Sequence, residues 1–181
     1  MNKNKVFLLA LPAIGAAFLA VLSQLSFSIG TIPITLQTFA VGLIATIFKT
    51  REAILSVLLY LLLGAIGLPV FAGGSGGFQA IFGPSAGYLW AYLLFALVTS
   101  SLTSKDSKFY TILLANLIGD TLVFVGGVIG LHFLANMEFS KAIAVGVTPF
   151  ILPDLLKLVA ITLISIPIFR SLAFHPYFSD K

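Results

Sequence analysis

Asp154 and Lys157 stand three residues apart in an apolar run, Thr148-Pro149-Phe150-Ile151-Leu152-Pro153-Asp154-Leu155-Leu156-Lys157. On a helix that spacing puts both on one face. The carboxylate accepts hydrogen bonds, and the ammonium donates them to a carbonyl or an anion. Two uses fit: an internal ion pair that lets a polar helix insert, or a ligand site. The position of both residues in the outward half of the segment, under a loop able to cover them, favours the ligand site. Asn116 and Asp120, at i and i+4, form a second polar face. Lining the same cavity and hydrogen-bonding to neighbouring helices are both open to them. Thr35 and Gln37 offer a hydroxyl and an amide at the start of another apolar segment, where capping is the simpler role.

These groups sit in a chain that is 59% hydrophobic and 9% charged, with a mean hydropathy of +1.12. Such a composition belongs to an integral membrane protein. A charge at the centre of a membrane helix costs about 2.5–3.5 kcal/mol on insertion scales, so Asp120, Asp154 and Lys157 each need a partner or a function. The 181 residues have room for a single membrane domain, 1–181, and none for an attached nucleotide-binding domain. The sequence has no Walker-type glycine-rich lysine motif, so ATP, if used, is hydrolysed by partner subunits. The net charge of +4 reflects membrane topology and is not a nucleic-acid footprint. Cysteine is absent, which removes disulfides, thiolate metal sites and cysteine nucleophiles, and His132 and His175 stand too far apart in sequence to suggest a metal site. No cofactor is expected.

A spanning helix needs roughly 20 apolar residues. Six segments approach that, at about 6–28, 34–48, 53–71, 83–103, 109–135 and 148–170. The expected fold is therefore an all-α membrane protein of six transmembrane helices, the second short and tilted or partly re-entrant. Positive charge alternates by loop. Lys3, Lys5, Lys49, Arg51, Lys105, Lys108, Arg170 and Lys181 fall on one side, and Lys141 alone on the other. By the positive-inside rule both termini are cytoplasmic, and the Ile29–Ile32 turn, the loop between helices 3 and 4 and the Ala135–Val147 loop face outward.

The loop between helices 3 and 4, within Gly64–Tyr88, combines glycines with Phe71, Phe78, Ile81 and Phe82 and carries no charge. A flexible linker would be polar. This one is expected to be an ordered outer loop, either a lid or pocket wall or a plug on the bundle. In the first helix, Ala13-x-x-x-Ala17 and Ala16-x-x-x-Ala20 form a small-residue stripe. It lets helix backbones approach, within the bundle or against another membrane subunit.

The segments Ile32-Pro33-Ile34-Thr35-Leu36-Gln37-Thr38, Gly67-Leu68-Pro69-Val70-Phe71-Ala72-Gly73-Gly74, Gly83-Pro84-Ser85-Ala86-Gly87-Tyr88-Leu89, and Pro149-Phe150 followed by Pro153-Asp154-Leu155-Leu156-Lys157 occur in an order and spacing that resembles the BioY family. These are the biotin-binding S-components of energy-coupling-factor (ECF) transporters. The resemblance runs the length of the chain. It implies capture of biotin from outside, in the cytoplasmic membrane, and association with a membrane coupling subunit (T-component) and two ATPase subunits through the small-residue face at Ala13, Ala16, Ala17 and Ala20. Biotin offers a ureido ring, a thioether ring and a valerate carboxylate. The substrate-binding set expected for it is Asp154, Lys157, Gln37, Phe78, Gln79, Tyr88, Asn116 and Asp120, with Phe82 and Trp90 as further aromatic cover. Two aspartates against one lysine, with a biotin anion added, leave negative charge in excess. Either one aspartate is neutral or the ligand carboxylate lies elsewhere.

Three other readings compete, of which a purely structural or assembly subunit would explain the alanine stripe but not the buried Asp154 and Lys157. An S-component for another vitamin would share the fold. Gly73-Gly74-Ser75-Gly76, with His132 on the same outer side, reproduces the Gly-x-Ser-Gly element of rhomboid-type intramembrane serine proteases, but their alanine-histidine element is missing and a serine between glycines is ordinary turn chemistry. An enzyme is therefore not expected. The topology is tested by cysteine scanning. Ser75→Cys and Lys141→Cys should react with an impermeant maleimide from outside, and Lys49→Cys and Lys105→Cys only from the cytoplasmic face. Labelling of Ser75→Cys from the cytoplasmic side alone would reverse the assignment.

Overall fold

The computed structural model describes residues 3–28, 33–179 and 181, so the expected turn at Ile29–Ile32 lies outside the described residues. Six of its helices correspond to the six apolar segments: α1 (Lys3–Ser23), α2 (Gln37–Ile47), α3 (Thr50–Ala65), α4 (Ala86–Leu102), α5 (Phe109–Leu134) and, after the short α6 (Phe139–Gly146), α7 (Ile151–Leu172). A last turn, α8 (Pro176–Ser179), follows. By length and composition three stretches can cross a bilayer, Val6–Ser23 within α1, α5 and α7, and the apolar α2 and α4 are shorter.

The element boundaries differ most between α1 and α2. The chain leaves the helix at Ser23, and two short strands, β1 (Ser26–Ser28) and β2 (Pro33–Thr35), pair antiparallel, with Phe27 opposite Ile34. Proline at the head of β2 has a fixed φ and no N–H, and both suit an edge strand. α2 is left with 11 residues, about 16 Å at 1.5 Å per residue. Nine of those residues are buried, so protein and not lipid surrounds it, the condition under which a short intramembrane helix is tolerated.

Consecutive helices alternate in direction, so the start of α2, the end of α3 and the starts of α4 and α7 meet at one end. At the other end α8 closes over the bundle. The Tyr177 hydroxyl donates to Glu52 Oε2 (2.9 Å) and accepts from the Lys49 N–H (2.9 Å), and Lys105 Nζ donates to the Ser179 carbonyl (2.6 Å). Lys181 Nζ donates to the carbonyls of Ala45 and Phe48, capping the end of α2. Burial lowers the pKa of that ammonium to about 7.

The helices α4 and α5 meet along a glycine seam. A Cβ on Gly126 would stand 2.6 Å from the Ala91 Cβ and 2.9 Å from the Gly87 carbonyl oxygen, and one on Gly130 would stand 2.9 Å from the Gly87 Cα. Only glycine permits that approach. It carries Tyr88 against Gly127, where its hydroxyl donates to the Gly146 carbonyl (2.7 Å) and ties α4 to α6.

The segment from Ile66 to Ser85 is folded onto the bundle through two 3₁₀ turns, Ala72–Gly74 and Phe78–Ile81. Phe71 lies buried over Gly64, where no side chain would fit, and its N–H donates to the Ser75 carbonyl (2.9 Å). Gly77, at φ +96°, sends its N–H back to the Gly64 carbonyl (2.7 Å). The Ser23 hydroxyl binds the Val70 carbonyl, and Gln24 Nε2 donates to the carbonyls of Pro69 and Phe71 (3.3 Å each). The end of α1 thus holds the segment down.

The glycine seam is expected to tolerate no branching. Gly126→Val should lower stability by about 1–3 kcal/mol, the usual cost of overpacking, seen as a lower midpoint in thermal unfolding of purified protein. An unchanged midpoint would contradict the close approach of α4 and α5.

Candidate ligand-binding cavity

A cavity of about 230 Å³ lies where α2, α4 and α7 begin, beneath the 66–85 segment. Thr35, Gln37 and Thr38 come from the β2–α2 junction, Phe71 and Ser75 from the covering segment, Tyr88 and Tyr92 from successive turns of α4, and Phe150 and Lys157 from the start of α7.

The most polar corner belongs to α7. Pro153 suits the first turn, where its missing N–H costs nothing, and Asp154 follows where the helix dipole favours a carboxylate. Lys157 Nζ donates to Asp154 Oδ1 and to Thr38 Oγ1 (3.1 Å), and the Thr38 hydroxyl also lies 3.3 Å from Asp154 Oδ1. Asp154 is 3% exposed and Lys157 9%, so the pair is withdrawn from bulk water. One ammonium proton and Asp154 Oδ2 make no hydrogen bond among the described residues.

A second polar group centres on Gln37. Its N–H donates to Thr35 Oγ1 (3.1 Å), so threonine takes an orphan donor at the start of α2, where Leu36 offers no side-chain cap. Gln37 Nε2 donates to the Tyr60 hydroxyl (2.5 Å), while Gln37 Oε1 accepts from the hydroxyls of Thr35 (3.1 Å) and Tyr92 (3.3 Å). Five hydrogen-bonding groups are thereby fixed in place. Between the two polar corners the wall is apolar and aromatic, the usual make-up of a small-molecule site.

Of the residues singled out from sequence, Gln37, Tyr88 and Lys157 line the cavity, and Asp154 is bonded to Lys157 at its edge. Phe78 and Gln79 are not part of the wall. Their 3₁₀ turn faces Ala80 to the cavity and buries Ile81, leaving Gln79 exposed and Phe78 paired with exposed Phe82 at 4.6 Å. Trp90 is also outside, donating to the Ile81 carbonyl (3.0 Å). Asn116 is fully buried and its amide donates to Thr46 Oγ1 and the Ile112 carbonyl (2.9 Å each), joining α5 to α2 as packing requires. Asp120 is buried outside the lining, within electrostatic reach of Asp154 and Lys157. Thr38, Tyr92, Phe71 and Phe150 belong to the wall and are not in the set expected from sequence. Tyr92 was accessible to pattern, four residues from Tyr88 on the same helix face.

The stripe on α1 divides. Ala13 and Ala17 are exposed beside Leu9, Ile14 and Val21, whereas Ala16 is buried at 1% and Ala20 packs on the core. Ala16 is therefore internal and offers no surface to a partner.

Ser75 and His132 do not pair with each other. Ser75 Oγ donates to the Ala72 carbonyl (2.9 Å), and the His132 ring nitrogen Nδ1 to the Met137 carbonyl (2.8 Å). Among the described residues no group of three His, Asp or Glu side chains could hold a metal.

A bundle of apolar helices around a cavity with two fixed polar corners is the architecture of a membrane protein with room for a small solute. The comparisons with known proteins agree. The BioY family model matches residues 1–174, and the chain belongs to that family. It is 40% identical over 182 residues to the biotin transporter BioY2 of Lactococcus lactis subsp. cremoris, covering 99% of this chain and 100% of that protein. It is 39% identical over 150 residues to the biotin transporter BioY of Thermotoga maritima, covering 83% and 88% respectively. Among solved structures, the S-component for biotin from an ECF-type ABC transporter superposes with a TM-score of 0.89 at 28% identity, covering 98% of each chain.

Proposed function

We propose that this chain captures biotin from outside and is the substrate-binding S-component of an ATP-driven ECF transporter. The observation that carries the proposal is the enclosed corner made by Lys157, Asp154 and Thr38, in a family whose named relatives are biotin transporters. A ureido ring presents N–H donors and a carbonyl, and a valerate chain presents an anion. Asp154 Oδ2 accepts from the former, and the third ammonium proton of Lys157 meets a carbonyl or anionic oxygen. Phe71, Phe150 and Tyr88 cover an apolar ring body. Asp120 lies buried behind this contact, outside the lining.

The membrane arrangement follows the same reading. α1 to α5 and α7 are six spans, with the cavity outward and both termini cytoplasmic. The bonds of Lys49 and Lys105 to the α8 segment support this, because they gather the positive charges at the end opposite the cavity. A T-component and two ATPase subunits supply the energy. The T-component docks on Ala13 and Ala17, the exposed part of the α1 stripe.

Two experiments test these assignments. Asp154→Asn combined with Lys157→Gln removes both charges together, avoiding the lone buried ion that a single change would leave. The double variant should remain folded and monodisperse with a nearly unchanged ligand-free melting point. Its biotin affinity by calorimetry should fall by about 3 kcal/mol or more, roughly a hundredfold. Parental affinity would return the pair to a packing role. For docking, Ala13→Trp or Ala17→Trp should spare biotin binding and abolish biotin uptake by cells, since bulk blocks close helix approach. Normal uptake would remove this face from the interface.

A further inference from the structure

Away from the cavity, at the opposite end of the bundle, a cleft of about 580 Å³ opens between the α4–α5 connection and the last turns of α7. Lys105, Lys108 and Arg170 line it, over a floor that includes Ile166, Phe169 and Ala173. Lys105 spends one proton on the Ser179 carbonyl and keeps two. Lys108 and Arg170 are exposed, and their side chains have no partner among the described residues. Asp106 also borders the cleft, exposed to solvent, leaving a net excess of two positive charges.

The position of the cleft determines what suits it. α5 and α7, two of the helices able to cross a bilayer, begin and end here, so the cleft straddles the boundary between headgroups and hydrocarbon. The positive-inside bias accounts for basic residues in this loop. It does not require three of them, from two separate elements, to border one cleft with an apolar floor. Leu102 and Leu163 continue apolar surface nearby, at 49% and 57% exposed. A ligand that matches has a phosphate for the cations and hydrocarbon for the floor.

We infer that this cleft is a binding site for the headgroup of an anionic phospholipid, held by Lys105, Lys108 and Arg170 with an acyl chain along Ile166 and Phe169. Basic pockets between membrane helices take such headgroups. Arginine contributes a planar fork matched to phosphate oxygens, and the lysines contribute point charges.

Native mass spectrometry of the purified chain with added dioleoyl phosphatidylglycerol or dioleoyl phosphatidylcholine tests the site. Phosphatidylglycerol should be retained in preference to phosphatidylcholine. Each of K108Q and R170Q should weaken its retention about fivefold, and the pair about thirtyfold, from the contribution of a basic residue at an anionic surface. Retention of phosphatidylcholine should not change. R51Q, which alters an exposed cation outside the cleft, should leave phosphatidylglycerol bound as in the parent. Equal retention of the two lipids, or an R51Q effect as large as that of K108Q/R170Q, would overturn the site in favour of general surface charge. Displacement of the lipid by millimolar inorganic phosphate would overturn the lipid assignment in favour of a free anion. Ligand-free melting points of the variants show that each is folded, since both residues are exposed.

Discussion

Lys157 and Asp154 are tolerable inside this bundle because each satisfies the other and Thr38 satisfies both. Removing two ions from water is costly, and their mutual attraction rarely returns more than the loss. Stability alone therefore gives no reason for such a pair, which apolar residues of similar volume could replace. On the proposed function its use lies in what remains unbonded, one ammonium proton and one carboxylate oxygen at the edge of the cavity. Other parts of the fold shape that space. The short α2 delivers Thr38, the α4–α5 seam delivers Tyr88, and the 66–85 segment covers the top.

That shape depends on backbone contact as much as on side chains. At the seam, Gly87, Gly126 and Gly130 remove three side chains so that two helices touch. At Gly64 the same omission admits the ring of Phe71, which presses the covering segment onto α3. Tyr88 and Phe71 then stand as fixed walls. A ligand meeting such walls loses less ordering entropy than one that must first arrange a mobile loop.

Hydropathy makes the helices legible, because a membrane helix must carry its apolar residues without interruption. Each of the six segments overlaps one main helix for that reason, although 34–48 and 53–71 run past the ends of α2 and α3. The strand pair Ser26–Ser28 and Pro33–Thr35 escapes the same treatment, since Phe27 and Ile34 are as apolar as any helical residue and Pro33 signals a change of period. The α7 pair was readable from charge and spacing, and its partner Thr38 was not, because threonine is common in membrane helices without a ligand role. Phe78 and Gln79 show the limit of composition. A 3₁₀ turn of four residues decides which side faces inward, and nothing in the residue types fixes its phase. α6, eight residues within an expected loop, adds the Gly146 carbonyl that holds Tyr88.

The convergence of three helix starts has an electrostatic consequence. α2, α4 and α7 all begin beside the cavity. Each helix start is equivalent to about half a positive elementary charge from aligned peptide dipoles. Asp154 offsets part of the contribution from α7, and the other two are not matched by acidic residues in their first turns. As side chains, Asp154 and Lys157 cancel. The backbone shifts that balance toward positive, so the interior field accommodates an entering anion without any further lysine or arginine.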